Sequence, residues 1–235
     1  TSFATLEKTK SIEKVVDRFP VLINGTDKAA TFYRKILGET FAYVQFRIPE
    51  ISNELYQIDE AMKAGFGWEH GPFELWDAVG LSVGIELIKE VNQPVAPWIT
   101  ELADSGANEF YQLIENKKHF YHISEKKFVP IPGQNAFIIL DNVREDKTIW
   151  QNEECSVIDI GDGILNIEFH SKMNTIGAGV LQGINKGIDL AEQSYEGVVV
   201  GNNGAHFSAG ANLGMIFMMA VEQEYEELNM AIKYF

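Results

Sequence analysis

The chain has 235 residues, of which 46% are hydrophobic and 23% charged, and this composition is typical of a globular protein. Its formal net charge of −15 argues against nucleic acid and anionic membranes as partners, because both require a basic surface. The single cysteine, Cys155, excludes an internal disulfide, fits a reducing compartment and is expected to be an inert thiol.

Both ends of the chain are expected to be cuts in a longer protein. The chain begins at Thr1 without an initiator Met or a signal-peptide pattern, and it ends at Phe235 inside a helical pattern. No apolar run approaches the roughly 20 residues that are needed to span a bilayer. We therefore expect a fragment of a longer cytoplasmic protein, without a membrane span.

The N-terminal part of the chain is predicted to be helical. Its first residues are ambiguous, since Ile12, Val15 and Val16 fit either a short helix or a strand. The pair Thr26-Asp27 provides an N-cap, and apolar residues at helical spacing follow it until Pro49 ends the pattern.

Further helices are predicted up to residue 103. Apolar spacing over residues 51–62 indicates one helix, with Gly65 as its C-cap. Pro72 suits the first turn of the next helix, and residues 83–91 and 96–103 follow with helical patterns. The first hundred residues therefore predict an all-α domain.

Residues 110–133 change character. The stretches 119–123 and 127–131 predict a β-hairpin or an extended clasp, on which His119 and His122 lie. Because the five histidines and the single cysteine lack metal-ligand spacing, no metal site is expected.

Residues 134–155 are interpreted as a connector. They hold an apolar patch at 137–140 and a charged run at 141–147. Gly and Ser are scarce, so we expect the connector to lie against the domains and not to act as a flexible linker.

Residues 156–235 carry an α/β pattern. The stretches 157–160 and 164–169 predict two strands, joined by a Gly-Asp-Gly hairpin turn. A helix over 176–191 and a buried strand at 198–200 follow them.

Three polar or glycine-rich groups receive structural interpretations. The glycines at 177–183 have the wrong spacing for a dinucleotide fingerprint and lie inside a predicted helix, so close packing explains them better. Asp159, Asp162 and Glu168 suggest an acid–base pair, but alternation along the hairpin favours solvent exposure. The acidic cluster at 222–227 is expected to be the solvated face of a helix.

The stretch 201–213 joins the predicted strand to an apolar helical run at 214–220. A turn of small residues before a helix brings unpaired backbone N–H groups to one point, where the helix dipole favours negative charge. Such a stretch is most often a tightly packed turn. It is also how a protein makes an oxyanion site without a charged side chain.

Two parts of the chain resemble known families. The segments 47–51, 58–68 and 71–77, which include Gly-Phe-Gly-Trp and Gly-Pro-Phe-Glu, resemble the C-terminal helical domain of 3-hydroxyacyl-CoA dehydrogenases. That resemblance covers most of residues 25–125.

The second resemblance is to the start of a crotonase (enoyl-CoA hydratase/isomerase) domain. Its basis is residues 168–174 and the sequence Phe-Ser-Ala-Gly-Ala-Asn-Leu at 207–213, which is similar to the family's oxyanion loop. Asn212 departs from the Asp that is more usual there. The order of the two parts is like that of bacterial fused enzymes.

The crotonase resemblance implies a role for each matched residue. The backbone N–H of Ala211 would be the first oxyanion-hole donor to a CoA thioester carbonyl. Ala209 and Gly210 would shape the loop that accepts CoA, and Lys172 with Asn174 would lie near the CoA entrance.

The resemblances together imply an α+β chain. A helical dehydrogenase C-terminal-type domain with its clasp is expected over 1–133, a connector over 134–155, and an incomplete α/β crotonase segment over 156–235. NAD would bind in a domain missing from this chain. The second oxyanion glycine and the catalytic glutamates would lie beyond Phe235.

The implied function is the central part of a bifunctional fatty acid β-oxidation enzyme, which hydrates enoyl-CoA and oxidises 3-hydroxyacyl-CoA with NAD. The fragment alone is expected to be inactive, and the full-length protein is expected to be a homo-oligomer that acts on acyl-CoA. The alternative is a non-catalytic acyl-CoA-binding or assembly module.

Overall fold

The computed structural model describes residues 3–48, 50–204 and 206–234. The chain divides into two compact units, Thr1–Gly133 and Gln134–Phe235. Pro49, which was expected to end a helical stretch, lies outside the described residues. Among the residues so described, no helix combines the length and the apolar character that crossing a bilayer requires.

The first unit is helical as far as Asp104. Its helices are α1 (Ala4–Thr9), α2 (Val15–Ile23), α3 (Lys28–Val44), α4 (Leu55–Phe66), α5 (Pro72–Val79), α6 (Leu81–Glu90) and α7 (Pro97–Asp104). The ambiguous start of the chain thus forms helices. Asp27 caps α3 as predicted, because its carboxylate accepts a hydrogen bond from Ala30 N at 3.0 Å.

The end of α4 differs from the prediction. Gly65 lies inside the helix, and the C-cap is Gly67, whose φ of 67° is left-handed. A left-handed cap favours glycine because the residue has no Cβ to clash with the backbone. Gly65 and Gly67 are both compatible with a C-cap by residue type, and the backbone of the folded chain places the cap at Gly67.

Aromatic side chains around α5 fill the core of this unit. Trp76 is fully buried; its ring stacks on Phe41 with centroids 4.7 Å apart, and Phe110 meets it edge-on at 5.1 Å. A Cβ at Gly84 would lie 1.9 Å from Trp76 Nε1, so the small residue lets α6 approach the indole. Helix α5 therefore carries the residue at the centre of this core.

The expected clasp is an antiparallel sheet. Its strands are β1 (Tyr111–Ile114), β2 (Lys117–His122) and β3 (Lys127–Pro130), in the order β1-β2-β3. The structure adds β1 to the two predicted strands, and Tyr111 lies opposite Phe120 in the ladder.

The second unit is a mixed sheet with helices. Its elements are α8 (Leu140–Lys147), β4 (Thr148–Gln151), β5 (Cys155–Asp159), β6 (Ile164–Phe169), β7 (Thr175–Ile176), α9 (Ala178–Ser194), β8 (Gly197–Val200), β9 (Gly210–Ala211), α10 (Leu213–Val221) and α11 (Tyr225–Tyr234). The main sheet has the order β4-β5-β6-β8, and β8 runs parallel to β6 after the α9 crossover.

Residues 134–155 contain regular structure that the connector interpretation did not include. They form α8, and they form β4, which pairs with β5. Ile149 is 44% exposed while Trp150 packs against the core beside it. Because an apolar residue points outwards, β4 lacks the alternation by which a half-buried strand is recognised.

The strand β8 is less buried than predicted. Val199 and Val200 are 48% and 38% exposed. In the described part of the sheet β8 is the end strand, next to β6, so one of its edges is unpaired and its apolar run does not signify full burial.

Helix α9 packs closely on β5 and β6 through its glycines. A Cβ at Gly183 would lie 2.2 Å from Cys155 Sγ, and a Cβ at Gly187 would lie 2.6 Å from Ile167 Cδ1. The prediction that the small residues serve packing is confirmed.

Candidate functional site

The loop between β8 and α10, residues 201–212, is anchored at its start to β6. Gly201 N donates to Ile167 O at 3.2 Å, and Gly201 O accepts from Asn166 Nδ2 at 3.0 Å. Asn166 is almost fully buried, so this hydrogen bond fixes the point at which the chain leaves the sheet. Ala205, within the loop, lies outside the described residues.

A tight turn at residues 171–174 faces this loop. Asn174 N donates to Ser171 O at 2.8 Å, and Ser171 Oγ donates to Thr175 O at 2.6 Å. Met173 and Asn174 have left-handed φ values of 56° and 52°. Asn tolerates this conformation better than most residues, whereas Met does so rarely.

The side chain of Asn174 spans the loop. Its Nδ2 donates to Asn202 Oδ1 at 2.9 Å and to His206 O at 2.8 Å. Asn202 continues the network, since its Nδ2 donates to Phe207 O at 2.9 Å and its Oδ1 accepts from Gly204 N at 3.1 Å. The two amides therefore close the loop upon itself.

The second half of the loop is tied to the same turn. Ser208 Oγ donates to Asn174 O at 2.6 Å and accepts from Gly210 N at 2.9 Å. Ala209 N donates to Met173 O at 3.1 Å. Gly210 has a φ of 82°, so a residue with a Cβ would be strained there.

Ala211 lies at the end of the loop, directly before α10. It pairs with Ile176 in the parallel ladder of β7 and β9. Asn212 then caps α10, because its Oδ1 accepts from Met215 N at 3.2 Å. Asn and Asp are comparable N-caps, so the departure from Asp leaves the helix start intact. The oxyanion role of Ala211 stays a prediction.

An apolar cavity of about 220 Å³ adjoins Ala211. Leu181 of α9, Met215 of α10, and Leu228 and Ile232 of α11 contribute to its wall. The cavity therefore brings hydrocarbon side chains from three helices next to the residue that the resemblance singled out.

The remaining predicted site residues lie at the mouth of the loop. Lys172 is exposed in the turn that faces it, and Ala209 is exposed on the loop itself. Asn174, by contrast, is buried at 7% exposure, and its amide is bonded within the protein. The CoA-binding roles of these residues stay predictions.

Residues that hold the loop were missed from the sequence. Asn166, Asn202 and Ser208 each bond backbone groups of the loop or of the turn. Their residue types give a weak indication of this role in the sequence, because Asn and Ser side chains near a turn commonly form hydrogen bonds with nearby backbone groups. Which backbone group each one reaches depends on how the β6, β8 and turn segments meet.

The glycines at 177–183 do not fit a dinucleotide. They lie at the start of and within α9, where Gly179 N donates to Glu154 Oε2 at 3.1 Å and Gly183 packs on Cys155. A dinucleotide site needs such glycines at a strand-to-helix turn with open N–H groups. These glycines therefore lack the arrangement of a dinucleotide-binding turn.

Glu168 corrects the expectation of a solvent-exposed carboxylate. It is 3% exposed, and Arg144 binds it through Nε at 2.9 Å and Nη2 at 2.7 Å. These hydrogen bonds raise the pKa of Arg144. The strand places Glu168 opposite Ser156 beneath α8, and alternation alone does not reveal that a helix covers that face.

The first unit contains a buried polar cluster. Asp59 accepts hydrogen bonds from Phe73 N, Glu74 N and Tyr111 Oη, and Asp77 accepts from Tyr111 N. Burial raises the pKa of Asp59 to about 7 and that of Asp77 to about 8, against the opposing effect of these donors. These donors are backbone N–H groups and the Tyr111 hydroxyl, so the two carboxyl groups serve to hold the fold together.

Within the ranges that the structure covers, no three His, Cys, Asp or Glu side chains are placed to hold a metal ion. Cys155 is buried, and burial raises the pKa of its thiol to about 11, as the prediction of an inert thiol requires.

Comparison with known proteins supports the dehydrogenase part of the resemblance. Residues 35–115 match the family model of the 3-hydroxyacyl-CoA dehydrogenase C-terminal domain. These residues lie within the first unit and within the stretch 25–125. No solved structure matches the chain significantly.

Curated relatives extend over both units. A protein of Bacillus subtilis described as "Probable 3-hydroxyacyl-CoA dehydrogenase" is 36% identical over 98% of this chain and 29% of its own length. A Rickettsia prowazekii protein described as "Putative fatty acid oxidation complex trifunctional enzyme" is 24% identical over 90% of this chain and 26% of its own. The chain thus spans less than a third of either relative.

Proposed function

We propose that this chain is the central part of a fatty acid β-oxidation enzyme that combines 3-hydroxyacyl-CoA dehydrogenase and enoyl-CoA hydratase. In this proposal residues 1–133 are the C-terminal helical domain of the dehydrogenase. Residues 156–235 are the first part of a crotonase domain. The substrate is a fatty acyl-CoA thioester.

The observation that carries the proposal is the 36% identity over 98% of the chain with a relative described as a 3-hydroxyacyl-CoA dehydrogenase. The family match within the helical unit supports the same activity. The description of the Rickettsia relative as trifunctional supports further activities on one polypeptide.

The dehydrogenase half of the reaction needs a dinucleotide. Bound NAD would supply the hydride acceptor for oxidation of the 3-hydroxyacyl-CoA, and we propose that a domain outside this chain binds it. The helical unit would support that domain with its aromatic core. We also propose that the full-length protein is a cytoplasmic homo-oligomer; the unpaired, buried Cys155 supports a reducing compartment.

In the hydratase half, the chain contributes a backbone donor. Water adds across the 2,3 double bond of the enoyl thioester, and negative charge develops on the thioester oxygen. The N–H of Ala211 stabilises that charge, an interaction that is typically worth about 3–4 kcal/mol of barrier. The apolar cavity beside Ala211 accepts acyl carbons next to the thioester.

The test compares two substitutions of one residue in the full-length protein. Ala211→Pro removes the N–H, whereas Ala211→Gly keeps it. We expect Ala211→Pro to lower kcat for enoyl-CoA hydration about 10²- to 10³-fold and Ala211→Gly to lower it far less. NAD-dependent oxidation of 3-hydroxyacyl-CoA should be unchanged in both, and thermal unfolding checks that both variants fold.

Three results would contradict the proposal. They are equal hydration by the two variants, equal loss of both activities in Ala211→Pro, and turnover above a buffer blank by the purified 235-residue chain in either assay. A full-length protein that binds acyl-CoA but catalyses neither reaction would instead identify an acyl-CoA-binding module.

A further inference from the structure

Four residues of the candidate loop form hydrogen bonds with Asn174 or with the residue before it, Met173. The amide of Asn174 donates to Asn202 Oδ1 at 2.9 Å and to His206 O at 2.8 Å. The backbone carbonyl of Asn174 accepts from Ser208 Oγ at 2.6 Å, and the backbone carbonyl of Met173 accepts from Ala209 N at 3.1 Å. The loop therefore has its main attachment in the 171–174 turn.

The amide of Asn174 is committed to these contacts. Both hydrogens of Nδ2 have an acceptor within the loop, and the residue is 7% exposed. A buried amide that lost these acceptors would carry the full cost of desolvation, about 1–3 kcal/mol. This cost favours a single conformation of the loop.

The approach of the loop to Asn174 is close. A Cβ at Gly204 would lie 2.4 Å from Asn174 Nδ2, so the glycine makes room for the amide. Asn174 itself holds a left-handed φ of 52°. A glycine at 174 would keep this backbone without strain and would remove only the side chain.

We propose that Asn174 is a positioning residue for Ala211. Asn174 holds the loop in the shape that presents the Ala211 N–H to the thioester oxygen. This inference rests on the proposed hydratase function. Ser208 connects Asn174 to Ala211. Its hydroxyl donates to Asn174 O and accepts from Gly210 N, one residue before Ala211. Asn174 acts through the loop and does not itself touch the reacting atoms.

The experiment uses two variants of the full-length protein. Asn174→Gly preserves the left-handed backbone and deletes the amide. Asn174→Asp preserves the shape but turns an oxygen towards Asn202 Oδ1 and His206 O, which repel it. We expect both to lower kcat for hydration about 10²-fold, because a displacement of about 1 Å is that costly. KM for enoyl-CoA should change less than kcat, since the donor acts on the transition-state charge.

A matched control separates positioning from general damage. Asn185→Asp makes the same chemical change on an exposed face of α9, where Asn185 Nδ2 donates to Leu181 O, one helical turn away. It should leave hydration within about two-fold of the wild type, as expected for a surface change. NAD-dependent dehydrogenation should be unchanged in all three variants.

Hydrogen exchange gives a readout that does not depend on activity. Amides of residues 206–213 should exchange faster in both Asn174 variants and at the wild-type rate in Asn185→Asp. Ser208→Ala removes one hydroxyl and should reproduce the kcat loss in smaller measure, even if the Asn174 variants fold poorly.

Failure of the positioning role of Asn174 can be distinguished from failure of the proposed hydratase function. Wild-type protein without hydratase activity overturns the proposed function and the positioning role with it. Hydration at the wild-type kcat in both Asn174 variants, or unaltered exchange of the loop, overturns the positioning role alone. Loss in Asn174→Asp but not in Asn174→Gly also overturns it, because the amide would then be dispensable.

Discussion

Tyr111 Oη donates a 2.7 Å hydrogen bond to Asp59 Oδ2, across 52 positions of sequence and inside the core of the helical unit. The same carboxylate accepts from Phe73 N and Glu74 N at the start of α5. One aspartate thereby joins α4, the N-terminus of α5 and the first strand of the sheet. The arrangement satisfies backbone donors that a helix start leaves unpaired.

Removing the Tyr111 hydroxyl should destabilise the chain. Tyr111→Phe leaves the buried Asp59 carboxyl with one donor fewer, at a cost of about 1–3 kcal/mol in the free energy of unfolding. Urea denaturation measures it. Tyr121→Phe is the matched control, since Tyr121 is also buried on a neighbouring strand and its hydroxyl has no hydrogen bond with the described residues. An equal cost for both variants would contradict the assignment.

The stability of the helical unit should fall as pH rises from about 5 to about 8. Asp59 and Asp77 have an ordinary pKa of 3.8, raised in the folded protein to about 7 and about 8. The folded state therefore binds more protons than the unfolded state in this window, so the free energy of unfolding decreases with pH.

Urea denaturation across that pH range tests this dependence. Asp77→Asn cannot ionise and should flatten the decline, whereas Asp17→Asn, at an exposed position of α2, should leave it unchanged. Stability that increases from about pH 5 to about pH 8 would show that the donors outweigh burial.

Replacement of glycine by alanine should change the free energy of unfolding in opposite directions at Gly183 and Gly65. Gly183→Ala places a Cβ 2.2 Å from Cys155 Sγ and should cost about 1–3 kcal/mol by pushing α9 away from β5. Gly65→Ala meets nothing within 4 Å inside α4 and should stabilise by about 0.5–1 kcal/mol. Thermal or urea unfolding measures both. Destabilisation by Gly65→Ala would place the end of α4 at Gly65.

Breaking the Arg144 pair with Glu168 should be costly. Arg144→Met leaves a carboxylate whose side chain is 4% exposed without its partner. Because the Arg144 side chain is itself 36% exposed, we expect a loss of about 3 kcal/mol in the free energy of unfolding, at the low end for a buried pair.

The second partner of Arg144 provides the control for that measurement. Asp141 also binds Arg144, but its side chain is 65% exposed. Asp141→Asn should therefore cost less than about 1 kcal/mol in the free energy of unfolding. Losses of similar size for Asp141→Asn and Arg144→Met would contradict the difference in burial between the two partners.

Much of the fold follows from local pattern. Helical spacing and the cap at Asp27 predicted α3, Pro72 predicted the start of α5, and alternation predicted β5 and β6. These signals work because each element buries one face and its residues recur with the period of that element. The strand β4 escaped detection, since its two apolar residues, Ile149 and Trp150, are adjacent and the exposed one, Ile149, hides the alternation.

Local pattern likewise predicted only part of the candidate site. The amino-acid pattern predicted that the small residues at 201–213 precede an apolar helix, and the oxyanion role of Ala211 follows only from the family resemblance. The burial of Asn174, its hydrogen bonds to this loop and the pairing of Glu168 with Arg144 became visible only in the folded chain. A sequence pattern reports which face of an element is apolar, because that depends on neighbours a few residues away. The partner of a polar side chain depends on segments some 30 residues distant, and packing alone brings these together.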